Sequence, residues 1–418
     1  MISIQRSNSE TLTTYTLISL LSHAVVYAFL IHSVPGYCDG WRYLTHLSTF
    51  GLCAFCFAPL MGILSDLTEN CHLSAQLGVI LQLCGILFPY EWKGDLMELP
   101  VTVTIKMVLL GLGFGLFHVS SATTVLRRDS GKSGPIGLLL APGSLGLCAA
   151  LIFPKIGFYA LPVLTLCAAL PDGCKAYGLS LPRNPKRRNP LLMILAATAC
   201  LLVLWLNQAQ LPTLDGIDRK DKRALLLLAL ALAGGKAVGG YLCDLIGPGA
   251  LILLPLGGYL LGQESTLIAA AAVAMLATAQ PILIRLIADT MPRTPGLAYG
   301  LSTVPIFLMA WLKTRQSALL PSLPSPLLCA VFAALAALCT MLILRKMGAL
   351  PTLIGNAVAA KMTRSKAAAV AEEEIEEGAI EEGSIEEETA ERIDVEPTEQ
   401  ALPEHREHPT DDREEEQS

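Results

Sequence analysis

Residues Ala224–Asp244 read ALLLLALALAGGKAVGGYLCD. Ten apolar residues lead the stretch, small residues follow, and Lys236 is its one charge before the closing aspartate. At 1.5 Å per residue a helix of this length covers about 30 Å, the thickness of a bilayer's hydrocarbon core. The residues are apolar all round, so a helix here has no solvent face to present. Similar runs of 15–25 residues recur along the first 346 positions of the 418-residue chain, separated by short polar breaks. They fall near 15–33, 45–65, 73–90, 101–126, 136–153, 156–171, 191–207, 224–243, 245–262, 266–288, 297–312 and 326–344. Barrel strands would need alternating segments of about ten residues, and those are absent. The expected fold is an all-α membrane protein of twelve transmembrane helices in two six-helix pseudo-symmetric bundles, with a disordered acidic C-terminal tail.

Composition agrees. The chain is 53% hydrophobic and 16% charged, against roughly 45–50% and 25% for soluble domains. The net charge of −6 divides unevenly: Glu372–Ser418 carries 21 of the 36 acidic residues and only 3 of the 30 Lys+Arg. What remains upstream is basic, but its cations lie in scattered short loops, so nucleic acid is not an expected partner. The twelve cysteines make no framework; Cys53 and Cys56 are spaced C-x-x-C within an apolar run, where packing is the expected role. The stretch before Tyr15 has a single Arg6, and no A-x-A site follows the first apolar run, so a cleavable signal peptide is not expected. With the N-terminus inside, 15 Lys+Arg fall in cytoplasmic segments and 9 in external ones. That bias places both termini in the cytoplasm of a multi-pass protein in the cell membrane, a monomer in contact with lipid.

The domain organisation follows. Residues 1–171 form an N-terminal six-helix bundle, 172–190 a basic, proline-rich cytoplasmic connector, and 191–346 a C-terminal six-helix bundle. Residues 347–370 form a cytoplasmic amphipathic segment. Residues 371–418 form the tail, where Ile375, Ile380 and Ile385 each precede a Glu-Glu pair. A period of five suits neither helix nor strand, so the tail is expected to stay solvated.

The second run ends in Gly62-Ile63-Leu64-Ser65-Asp66 and the eighth in Gly240-Tyr241-Leu242-Cys243-Asp244. Both are G-x-x-x-D at matching positions of the two halves, the mark of an internal repeat. Glycine admits a close helix neighbour, and the carboxylate beyond it can bond backbone donors or a cation. In these features, over about residues 10–346, the chain resembles the major facilitator superfamily. Ser22-His23, Gly111–His118 and Pro295–Gly300 resemble its fosmidomycin-resistance-like branch. The resemblance implies an alternating-access fold with a central cavity. It also implies a role for Asp66 in holding one state closed, with Gly62, Gly240, Asp244 and Lys236 as further gate candidates. The chain departs from the family signature after Asp66, where Leu-Thr-Glu-Asn-Cys-His replaces the usual glycine and basic residues. Asp244 keeps Gly247 but lacks the arginines, and Ala141-Pro142-Gly143 gives no ground for antiport.

Ionisable groups inside membrane helices are functional suspects. His23 lies near the midpoint of the first helix, as a coupling site or as a neutral imidazole bonded to a neighbour. His118 lies lower in the fourth, suited to packing or a gate hydrogen bond. Lys106, Lys236 and Arg285 are the cations within helices; Lys236 and Arg285 could snorkel or pair with Asp244 and Asp289 at the gate, and Lys106 could snorkel too. Any of them facing a cavity would favour an organic anion as the solute. No Asp or Glu lies deep in a helix, so proton coupling would fall to histidine. Gln280-Pro281 is expected to interrupt the tenth helix, either as a break with Gln280 lining the cavity or as an ordinary kink. Trp205, Asn207 and Gln208 could rim an outer vestibule.

The P-loop and H-E-x-x-H patterns are absent, so neither ATP-driven transport by this chain alone, nor an enzyme, nor a cofactor or metal site is expected. The reading is a secondary active transporter of a small organic solute. The alternative is a non-transporting sensor or scaffold whose acidic tail binds a partner.

Overall fold

The computed structural model describes residues 2–33, 40–68, 71–88, 101–129, 131–169, 190–210, 221–248, 254–261, 265–315 and 326–346. The body of the connector, the amphipathic segment and the acidic tail lie outside these residues. All secondary structure among them is helical: α1 Ile2–Ala28, α2 Gly40–Gly51, α3 Ala58–Leu67, α4 Cys71–Leu87, α5 Val101–Arg128, α6 Gly134–Ile152 and α7 Ile156–Ala169. There follow α8 Pro190–Gln210, α9 Lys222–Ile246, α10 Leu254–Leu260, α11 Thr266–Thr290, α12 Pro295–Arg315 and α13 Pro326–Lys346.

The ends follow local chemistry. Proline opens α8, α12 and α13 and sits in the first turn of α3 and α6, where its missing N–H costs nothing. Asp221 caps α9 by accepting from the N–H groups of Arg223 and Ala224, both at 3.0 Å. Gly247 closes α9 at φ 94°, a left-handed conformation that suits glycine. The expected ninth span, 245–262, therefore starts later than its hydropathy suggests, because α9 runs on to Ile246. Among the described residues, seven helical stretches have the length and composition to cross a membrane, and four more apolar helices are shorter. The chain is a multi-pass membrane protein.

Packing is inverted relative to a soluble protein. In α4, Ala75, Gly78, Val79, Gln82 and Gly85 face inward while Leu73, Leu77, Ile80 and Leu87 are exposed. Small residues face neighbouring helices and bulky apolar ones face outward, as lipid requires. The glycines of α5 sort by face. A Cβ on Gly113 would lie 2.6 Å from the Gln82 amide of α4, whereas Gly111 and Gly115 abut carbonyls of Phe50 and Ala54. A π-helical turn at Leu52–Cys56 joins α2 to α3, and Thr303 of α12 donates to the Phe55 carbonyl at 2.9 Å.

Two expectations change here. Helix α11 runs without a break through Pro281, which is buried; neighbouring helices support a proline inside a membrane helix. Asn207 does not rim a vestibule, since it is buried and accepts a hydrogen bond from the Tyr259 hydroxyl.

The helices through residue 353 form one compact unit. Its packing repeats: α1 packs on α6 and α7, and α8 packs on α12 and α13. Likewise α4 packs on α5, and α10 on α11. Between the two sets, the large contacts are α3 with α12 and α6 with α9.

Candidate functional site

Both G-x-x-x-D sequences lie at these two crossings. Asp66, in the last turn of α3, accepts from the Gly296 N–H at 2.9 Å through Oδ1 and from the Leu297 N–H at 2.8 Å through Oδ2. These are among the first N–H groups of α12, which have no partner within their own helix. The carboxylate thus sits on the positive end of a helix from the other repeat. Contact is backbone to backbone: a Cβ on Gly62 would lie 2.2 Å from the Gly296 carbonyl oxygen, and one on Gly300 would lie 2.4 Å from that of Ala58.

Asp244, at the end of α9, repeats this at the start of α6. It accepts from the Ser133 N–H at 2.6 Å and the Gly134 N–H at 2.8 Å. A Cβ on Gly240 would lie 2.5 Å from the Ser133 carbonyl, and one on Gly137 would lie 2.5 Å from that of Lys236. The two contacts, or latches, lie at the same end of the bundle.

Cations complete that end. Arg127, from the last turn of α5, meets the Asp66 carboxylate at 3.3 Å and its backbone carbonyl at 3.1 Å. The cation missing from the loop after Asp66 thus arrives from another helix. Arg285 of α11 bonds Asp289 at 2.5 Å and donates to the Leu126 carbonyl at 3.3 Å, reaching the C-terminal end of α5 in the other repeat. Burial pushes the Asp129 carboxyl above its ordinary range, and Asp244 adds to the rise, against the pull of Lys132, Arg128 and Arg285.

A second cluster lies deeper. His118 stands ten residues from Arg128 at the latch end of α5, Lys236 ten from Ile246 of α9, and Gly143 nine from Gly134 of α6. His23 is twelve residues into the stretch that begins at Thr11. Each is therefore about 13–18 Å from the latched end, mid-depth in a 30 Å core. The His23 and His118 rings meet edge to face with centroids 4.7 Å apart, beside Phe114. His23 bonds the Ser19 carbonyl through Nδ1 at 2.8 Å, and its ring lies against Gly143, where a Cβ would fall 2.6 Å from Nε2. Lys236 stands at the same depth, its backbone carbonyl against Gly137 of α6, six residues before the Gly143 that abuts His23. Lys236 belongs to this cluster; Asp244 uses its carboxylate on backbone groups instead.

The other sequence candidates are dispersed. Lys106 is buried near the opposite end of α5, its ammonium 5.3 Å above the Phe29 ring. Gln280, half-buried in α11, is ten residues from Thr290 and shares the depth of the histidines. Sequence reasoning missed Arg127 and the helix starts at Ser133–Gly134 and Gly296–Leu297. Their one signal was a glycine in the first turn of both α6 and α12.

No family model matches the sequence, nor does any curated protein. Solved structures do. The fucose:proton symporter FucP of E. coli, in a single-residue variant, superposes with a TM-score of 0.54 at 12% identity, over 80% of this chain and 98% of that one. A structure of FucP described as a major facilitator superfamily transporter in the outward conformation gives 0.49 at 14% identity, over 80% and 97%. An outward-facing bacterial homologue of the iron transporter ferroportin gives 0.49 at 13%, over 81% and 99%. Likeness at such identities concerns the fold alone, and the fold of this multi-pass membrane protein is that of the fucose:proton symporter FucP.

Proposed function

We propose that the chain is a secondary active transporter that moves a small organic solute by alternating access. Twelve crossings in two six-helix halves, 1–171 and 191–346, rock about a central site, with residues 172–190 as the cytoplasmic connector and both termini in the cytoplasm. The reciprocal latch carries the reading: Asp66 of one repeat caps α12 of the other, and Asp244 returns the contact on α6. A static scaffold has no need of two matched contacts made from charged groups and helix ends. Such contacts are strong when formed, and water can satisfy both partners when they part. The closed end is the cytoplasmic one, by the Lys+Arg bias, and proton coupling falls to His23 or His118. The motifs in α1, α5 and α12 favour the fosmidomycin-resistance-like branch and a monomer in the cell membrane.

Counterflow in proteoliposomes tests this, using a solute chosen by thermal-shift screening. Lys132 and Arg293 are exposed in loops at the latched end, on opposite repeats. A bismaleimide joining Lys132→Cys to Arg293→Cys should abolish flux, while deletion of 371–418 should spare it. Flux that persists through the cross-link overturns the mechanism. Absence of flux from a folded protein that loses a partner on tail deletion favours the scaffold.

A further inference from the structure

We propose that Lys236 and His118 form an oxyanion site, so that the transported solute carries a carboxylate or a phosphate-type group. The inference rests on the transporter reading and names the chemistry of its central site. Lys236 stands at mid-depth, in the helix whose end carries Asp244. Among the described residues it has no ion pair. A cation at that depth without a counter-charge is costly, and such groups mark ion and substrate pathways. The counter-charge must then come from outside the protein.

His118 supplies a second, independent pointer. Its Nε2 is buried and has no hydrogen-bond partner among the described residues. A buried polar ring atom without a partner is uncommon, because the lost hydrogen bond is not recovered elsewhere. An oxyanion beside Lys236 would accept from the Nε2–H tautomer of His118. His23 is a positioning residue. The Ser19 carbonyl requires Nδ1 to donate, so in the neutral ring Nε2 carries no proton to offer. Held by Ser19 and by Gly143, the His23 ring forms the wall against which His118 stands. The Cα–Cβ bond of Lys236 tilts toward the N-terminus of α9, away from the latched end.

The geometry also couples binding to rocking. His118 belongs to α5 of the first repeat and Lys236 to α9 of the second, so one oxyanion would touch both. The backbones of α9 and α6 meet directly beside the site, where the Lys236 carbonyl abuts Gly137.

The test uses full-length protein in nanodiscs. Its unfolding midpoint is compared in inorganic phosphate, in acetate and in chloride of equal ionic strength, each oxyanion at about 20 mM. At least one oxyanion should raise the midpoint by about 2 °C over chloride. That shift should vanish in Lys236→Gln, shrink in His118→Phe, and survive in Lys106→Gln, which removes a cation at another depth. Lys236→Arg retains the charge and should keep the shift, which covers the case in which the neutral variant fails to fold. Absence of a shift with both oxyanions overturns the inference. So does a shift that survives Lys236→Gln, or one that Lys106→Gln abolishes. Counterflow separates the two readings. Flux without an oxyanion response sinks the anion site and leaves transport standing. A Lys236-dependent response without flux leaves the site and sinks transport.

Discussion

The latch at Asp66 and the latch at Asp244 use the same parts. Each has a glycine that lets two backbones touch, a carboxylate four residues on, and two N–H groups at a helix start. They differ in what stands behind the carboxylate. The Asp66 side chain is 4% exposed and is held by Arg127 at 3.3 Å. Asp244 is exposed and has no ion pair among the described residues. The glycine contact is also tighter at Gly62, at 2.2 Å against 2.5 Å for Gly240. A buried carboxylate with a cation loses much when its donors leave, whereas an exposed one exchanges them for water at little cost. The two contacts therefore differ in strength, and on the proposed rocking mechanism the weaker one would set how readily the end opens.

Substitutions can break this asymmetry. The largest effect is expected from Asp66→Ala, which leaves two helix N–H groups without an acceptor and Arg127 with only the backbone carbonyls of positions 65 and 66 and the Cys71 sulfur. Loss of about 3–4 kcal/mol should shift the balance toward the open state by roughly 10²–10³-fold. Spin labels at Lys132→Cys and Arg293→Cys would read this as a longer distance. Next is Gly62→Ala, whose methyl group must displace the Gly296 carbonyl. Overpacking of this kind costs about 1–3 kcal/mol, seen as a lower unfolding midpoint and a partly open end; Gly240→Ala should do less. Asp244→Ala should cost about 1–2 kcal/mol, because water replaces part of what is lost, and it should open the end less than Asp66→Ala by the same labels.

Arg127→Gln comes below these. It removes the ion pair and leaves both N–H contacts of Asp66 in place, so about 1 kcal/mol is expected in the unfolding midpoint. The smallest effect belongs to Asp129, outside the spanning helices. Its raised carboxyl means that the folded state holds the proton more tightly than the unfolded one. Its contribution is then most favourable at low pH. It declines as pH rises from the ordinary carboxylate range to the raised value. Asp129→Asn should flatten that decline in the midpoint-versus-pH curve. A steeper decline in the variant would contradict the assignment.

The helices were legible because apolar length alone demands them, and the doubled G-x-x-x-D was legible because both members sit at helix ends. The partners were not. Asp66 reaches Gly296 across 230 positions, and no local pattern announces which helix start a carboxylate will cap. Arg127 was missed because the cation was sought in the loop after Asp66, whereas α5 delivers it from the side. Lys236 is marked by its depth, but the sequence leaves a partner at Asp244 open, and that carboxylate is taken by the Ser133 and Gly134 N–H groups. Pro281 was read as a break or a kink, because the supporting helices around α11 leave no trace in the local sequence.

The most direct test of the rocking latches is the label distance between Lys132→Cys and Arg293→Cys in nanodiscs, with the twelve native cysteines replaced. The protein with both latches intact should give a short distance, and the Asp66→Ala, Asp244→Ala double variant a longer one as its main population. An identical distribution in the two would mean that these carboxylates do not hold the end closed.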